Sequence, residues 1–174
     1  QPLKGNPEKI PSLRPAFAKE GTITAANSSS ISDGASALCL ASADAVASHG
    51  LKPLARIVDH ARFSRAPSEF TLAPVGAIQQ LLEKTGWQID DVDLWEINEA
   101  FAMVTMLAMR EFDLPHDRVN VHGGACAQGH PIGSTGSRIM VTLAHALARY
   151  GKRRGIAALC IGGGEATAVA IERV

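Results

Sequence analysis

Between His122 and Arg138 the chain runs HGGACAQGHPIGSTGSR, a glycine-dense stretch that predicts a loop leading straight into an amphipathic helix. Four of its first twelve residues are glycine, so the backbone is free to take positive φ and to approach another segment or a ligand closely. His130 is fixed between Gly129 and Pro131 just before the helix start, near free N–H groups and the positive end of a helix dipole, which suits an oxyanion. The same pattern also fits a histidine packed in a tight turn, and spacing alone leaves both roles open.

Around this stretch the chain alternates between apolar runs and helix-periodic segments. The run ASALCLA (residues 35–41) predicts a buried strand with Cys39 in the core. Ser42 offers an N-cap for a helix through His49, closed by Gly50. A strand within Leu54 to Phe63 is followed by a helix from Pro74 to Gly86, with Val75, Ile78 and Leu82 on one face. Val92 to Ile97 predicts the next strand. Asn98 opens a helix whose Phe101, Val104, Ala108 and Phe112 share a buried face, and Asn98 itself is either its cap or a functional amide. After the glycine stretch, Ile139, Leu143, Ala146, Leu147 and Tyr150 form one helical stripe. Strands at Ile156 to Ile161 and Ala166 to Arg173, joined by Gly162-Gly163-Gly164, predict an antiparallel pair. The order is βαβαβαββ: an α/β fold with a mixed five-stranded sheet and helices on both faces. Ahead of it, Pro2, Pro7, Pro11 and Pro15 favour extended backbone, so residues 1–21 are expected to be a proline-rich linker or arm, and 22–174 the domain. The start at Gln1 rather than Met suggests a piece of something longer.

Composition narrows the function. A chain of 174 residues, 46% hydrophobic, can bury a sizeable core. Its 17 basic and 17 acidic residues cancel, which argues against a nucleic-acid or acidic-membrane partner. Three cysteines without paired spacing point to a reducing, cytoplasmic setting rather than a disulfide framework, and no metal signature is present. In layered α/β folds ligands gather where strand ends meet helix starts. Asn98, His130 and Cys160 all lie at such junctions. The Cys160 thiol ends a strand before three glycines, whose N–H groups favour a lowered thiol pKa; the alternative is one more buried cysteine.

The motifs NEAFA (98–102), GGACAQGHPIGSTGSR (123–138) and CIGGGEATAVAIE (160–172), with LRPAFAKEGTITAANSSSISDGA (13–35) before them, resemble the C-terminal half of a thiolase of the acetyl-CoA acetyltransferase group. The resemblance implies Claisen condensation of two acetyl-CoA to acetoacetyl-CoA, or thiolysis of a 3-oxoacyl-CoA. No cofactor would be held permanently, the coenzyme A thioester being the substrate. By resemblance, His130 donates to the thioester oxygen with a water held by Asn98, Cys160 is the acid/base, and Gly162 gives an N–H to a second oxyanion hole. Ser29 would contact the pantetheine arm, with Phe17, Ala25 and Phe101 along its path. The family's nucleophilic cysteine belongs to an N-terminal half for which neither Cys39 nor Cys126 substitutes, so this chain alone is expected to be inactive and the full-length form homo-oligomeric. The alternatives are a non-catalytic CoA-binding or assembly module, and a decarboxylating ketoacyl synthase, against which the Asn98-Glu99 and Cys160-Ile-Gly motifs speak. Three positions depart from the family's pattern: His122 where Asn is usual, Ser30 where Gly is frequent, and Cys126 where an aliphatic residue is common.

Overall fold

The computed structural model describes residues 5–174; Pro2 of the proline arm lies outside them. In the arm, Pro7–Ser12 closes a short 3-10 helix whose Asn6 side chain accepts from the Glu8 N–H at 3.0 Å, and none of it is buried. Helix α1, Ala43–Ser48, starts where the Ser42 hydroxyl accepts the Ala45 N–H at 3.2 Å, and Gly50 follows at φ +59°.

Strand β1 is Ala55–Ser64, helix α2 Ala73–Thr85 and strand β2 Leu94–Ile97. Pro74 sits in the first turn of α2, where its missing N–H costs no hydrogen bond, and Gly86 ends the helix in the left-handed region. Helix α3, Ala102–Phe112, precedes a short α4, Ala125–Gln128, which the sequence reading had folded into one loop. Helix α5 is Thr135–Arg149, strand β3 Arg154–Ile161 and strand β4 Glu165–Arg173.

The sheet has four strands in the order β1-β4-β3-β2. Pairings β1 with β4 and β3 with β4 are antiparallel, while β2 runs parallel to β3, with Ile97 opposite Ala158. The expected fifth strand is absent: residues 35–41 pair with no strand, Leu40 is 73% exposed and Cys39 is exposed rather than core. An apolar run becomes a strand when it has a partner edge and a surface to cover, and here both faces of the sheet are already taken. On one face α2 and α3 enclose Trp95, Ile97, Ile156 and Ala158. On the other α5 lays Ile139, Leu143 and Leu147 over Leu94, Ala157 and Ile171. Tyr150, expected on the buried stripe of α5, is instead 48% exposed, because the helix ends at Arg149 and the stripe leaves the sheet there.

Close packing explains two of the glycines. A Cβ on Gly76 would run into the Phe63 ring, and one on Gly155 would lie 2.7 Å from a Leu143 methyl. Leu143 is fully buried. Leu143→Ala should therefore lower unfolding stability by about 2–5 kcal/mol, read as a lower urea midpoint at unchanged m.

Candidate active site

The parallel pairing of β2 and β3 delivers the chemistry to one end of the sheet. The Asn98 N–H donates to the Ala158 carbonyl at 2.9 Å, extending the ladder one residue past β2. Cys160 follows two residues later on β3. Side chains alternate along a strand, so Asn98 and Glu96 take the α5 side, while Cys160 falls with Ile156 and Ala158 on the α2 side.

Asn98 is not the cap of α3. The N-cap is Phe101, without a side-chain bond, and the Asn98 amide is 2% exposed and engaged elsewhere. Its Nδ2 lies 3.4 Å from His130 Nε2, and its Oδ1 accepts from Arg138 at 3.5 Å. The other imidazole nitrogen, Nδ1, is 2.7 Å from the Thr135 hydroxyl, which donates to the Pro131 carbonyl at 3.0 Å. Thr135 opens α5, so the histidine is oriented by the first turn of that helix.

The strand end is fastened by two residues to which the sequence reading gave no role. Asn120, at φ +48°, accepts the Ile97 N–H through Oδ1 and donates through Nδ2 to the Ile97 carbonyl, both at 2.8 Å. The same Nδ2 donates to Glu99 at 3.0 Å, and Glu99 accepts the Cys126 N–H at 3.0 Å. Gly124 packs so close to the Glu99 carboxylate that no Cβ fits there, and Gly129, at φ +97°, abuts Ser32. An Asn that tolerates the left-handed region shortly before a Gly-Gly pair was the available signal for Asn120.

A second segment is zipped between these parts. Ala102 N–H donates to the Asn27 carbonyl at 2.9 Å, and the Ser29 N–H and hydroxyl both donate to the Ala100 carbonyl, at 3.2 and 2.9 Å. His130 N–H donates to the Ser30 carbonyl at 2.8 Å. Phe101 stacks edge-on with Phe17 at 5.7 Å and with Phe70 at 6.2 Å between ring centroids. The structure thus ties Ser29 to Ala100 and Phe17 to Phe101, and joins the segment to His130 through the Ser30 carbonyl, while Ala25 sits exposed in the preceding turn. Gly162 is exposed, with open space about it, in the β3–β4 turn.

Burial sets the protonation states. The His130 pKa is lowered, chiefly by burial and then by the Arg138 charge. The Cys160 thiol is pushed up by burial, opposite to the lowering expected from the glycine N–H groups, and it makes no side-chain hydrogen bond among the described residues. Cys126 is raised to about 11 by burial and the Glu99 carboxylate, an inert thiol. His122 lies outside the cluster and stacks on Tyr150 at 5.6 Å. Glu96, 3% exposed on β2, is raised to about 8 by burial, opposed by the Arg138 charge.

Two family profiles match: "Thiolase, C-terminal domain" over residues 51–173 and "Thiolase, N-terminal domain" over residues 4–44. The chain belongs to the thiolase family. A probable acetyl-CoA acetyltransferase of Dictyostelium discoideum is 48% identical over 174 residues, which is all of this chain and 42% of that protein. The Bacillus anthracis acetyl-CoA acetyltransferase superposes with a TM-score of 0.93 at 46% identity, covering 96% of this chain and 42% of that one. The Ascaris suum Acat5 thiolase, solved in complex with coenzyme A, does so with a TM-score of 0.90 at 44% identity, covering 99% and 45%. This thiolase chain therefore spans less than half the length of these relatives. The N-terminal profile takes in the apolar run 35–41, which is the stretch that finds no strand partner here. No helix among the described residues is long and apolar enough to cross a membrane.

The buried Glu96 sets a pH dependence. Its pKa is about 8 in the fold against an ordinary 4.5, so the folded chain holds a proton that the unfolded chain gives up, and stability falls as pH rises from about 5 to about 8. Glu96→Gln keeps the shape without the titration. It should flatten this decline, a difference of a few kcal/mol at the alkaline end, measured by denaturation across that range.

Proposed function

We propose that this chain is the part of an acetyl-CoA acetyltransferase that supplies the acid/base and the oxyanion donors, for condensation of two acetyl-CoA to acetoacetyl-CoA or for thiolysis of a 3-oxoacyl-CoA. The observation that carries the reading is the Asn98–His130 contact at the end of β2, next to the strand that ends in Cys160 and Gly162. A half-buried imidazole with a buried amide at its side suits a thioester oxygen that gains charge as an enolate forms. Long donor–acceptor distances in a ligand-free site are ordinary and tighten around the reacting group.

Cys160 would act on the protons. Burial keeps it a thiol at rest, so its first act is to give its proton to a departing CoA thiolate. The thiolate left behind then takes a proton from the methyl carbon of acetyl-CoA, and the electron pair of that C–H bond becomes the enolate. In thiolysis the same sulfur first gives its proton to the carbon of the departing acetyl-CoA enolate and then, as the thiolate, takes the proton of the incoming thiol. His130 and a water on Asn98 would hold the enolate oxygen, and the Gly162 N–H a second oxyanion. The segment at Ser29, flanked by Phe17, Phe101 and, one turn earlier, Ala25, would meet the pantetheine arm. Ser29 offers a hydroxyl and the two rings an apolar wall, and the coenzyme A complex of the Ascaris relative supports a ligand of that class.

The acyl-cysteine step that such a reaction needs is assigned to the family's other half, so the partner is an N-terminal thiolase half and the full-length form a homo-oligomer. The three cysteines are all free thiols, which supports a cytoplasmic setting.

Purified alone, the 174-residue protein should show no CoA-dependent cleavage of acetoacetyl-CoA, whereas mixing it with a separately made N-terminal half should restore turnover. Cys160→Ser should then lower the restored kcat by about 10²–10⁴. Turnover by the isolated chain, or restoration unaffected by Cys160→Ser and His130→Ala, would contradict the proposal; the latter would favour a CoA-binding or assembly module.

A further inference from the structure

Two buried polar groups next to the site stand without partners: Glu96 Oε1 on β2 and Arg138 Nε on α5. Leaving a buried polar group without a partner is costly, and these two lie where the proposed chemistry is held. Arg138 donates in two other directions, to Gln128 Oε1 at 3.0 Å and to Asn98 Oδ1 at 3.5 Å. The field of the guanidinium is felt both at Glu96 and at His130.

A guanidinium has donors only, so the Asn98 atom that faces it is the amide oxygen. The NH₂ group then faces His130 Nε2, and because an NH₂ only donates, that nitrogen is the bare acceptor. The ring proton sits on Nδ1, directed at the Thr135 oxygen, whose own hydrogen is committed to the Pro131 carbonyl. Each donor in the chain Arg138, Asn98, His130, Thr135, Pro131 meets an acceptor in one sense only.

We propose that Arg138 is a positioning residue that fixes the amide orientation of Asn98 and thereby holds His130 at rest in its Nδ1–H tautomer. The consequence for chemistry rests on the function proposed above. In that tautomer Nε2 is an acceptor, and it becomes the donor a thioester oxygen needs by taking up a proton, either with Nδ1 keeping its own as an imidazolium or with Nδ1 releasing its proton to solvent while the Thr135 hydroxyl turns to donate to Nδ1. Arg138 thus sets the state from which the donor is made. The titratable and charged groups around this network are the Arg138 guanidinium from α5, the Glu96 carboxyl from β2, kept protonated by burial, and, acting on Glu96, Glu99 from the segment between β2 and α3.

Long-range proton–nitrogen NMR on the 174-residue protein without substrate shows which ring nitrogen of His130 is protonated, and so tests this apart from any activity. The wild type should be dominated by Nδ1–H, with a titration midpoint below the ordinary 6.5. Arg138→Met should give a tautomer mixture and move the midpoint up toward that value. Arg138→Lys keeps the charge but loses the planar fork, so it should give the mixture while the midpoint stays low. A wild type dominated by Nε2–H would overturn the inference, as would a folded Arg138→Lys protein with unchanged tautomer populations. Should Arg138→Met fail to fold, the lysine variant alone decides. Failure of half-chain complementation would count against the function and leave this result standing.

Discussion

The hydrogen-bonded clasp of Asn120 on Ile97 is the interaction on which the rest of the site depends. At the end of β2 the chain turns away from the sheet, and the N–H and carbonyl of Ile97 lose their continuation just where they are buried. One side-chain amide satisfies both, and the Thr105 hydroxyl donates to the same carbonyl at 3.1 Å. Because Asn120 also grips Glu99, and Glu99 grips the Cys126 N–H, a single network ties the strand end to the glycine stretch. The strand end thereby holds one side of the glycine stretch, while Thr135 of α5 and the Ser30 carbonyl hold His130 itself.

Electrostatics follow from that fastening. A site sealed between strand ends and the first turn of a helix removes water from its polar groups, and burial is the largest cause behind the shifts at Glu96, His130, Cys160 and Cys126. The direction is the same in each case, toward the uncharged form. The imidazole, the thiol and the Glu96 carboxyl are thus each held toward the uncharged form. The Arg138 guanidinium adds to burial in lowering the His130 pKa, and it donates to the amide oxygen of Asn98.

Legibility in the sequence tracks how local each signal is. The bounds of α2 were readable because Pro74 and Gly86 act on their own backbone, and the β3–β4 hairpin because three glycines separate two apolar runs. The run at 35–41 misled because apolarity states that a segment is to be covered but not by what, and its N-terminal-profile match links it to a portion of the family largely outside this chain. Asn98 fits a cap by residue type, yet α3 begins four residues later, since the intervening Glu99 and Ala100 are used to hold the glycine stretch and Ser29. Cys160 and His130 stand out in the sequence by their junctions. Thr135, Arg138 and Asn120 do not, because their value lies in which atom they meet across tens of residues, and spacing carries no record of that. Glu96 was hidden in an apolar run, where a charged side chain passes for the solvent face of a strand.

The central claim is that an amide from β2, an imidazole from the glycine stretch and a thiol from β3 serve one thioester. It is tested most directly by a crystal structure of this chain joined with an N-terminal thiolase half and soaked with a CoA thioester. The account predicts the thioester oxygen within hydrogen-bond reach of His130 Nε2 and the Cys160 sulfur against the acyl carbon that exchanges a proton. A thioester bound with Cys160 and His130 on opposite sides of β3, neither touching the acyl group, would contradict it.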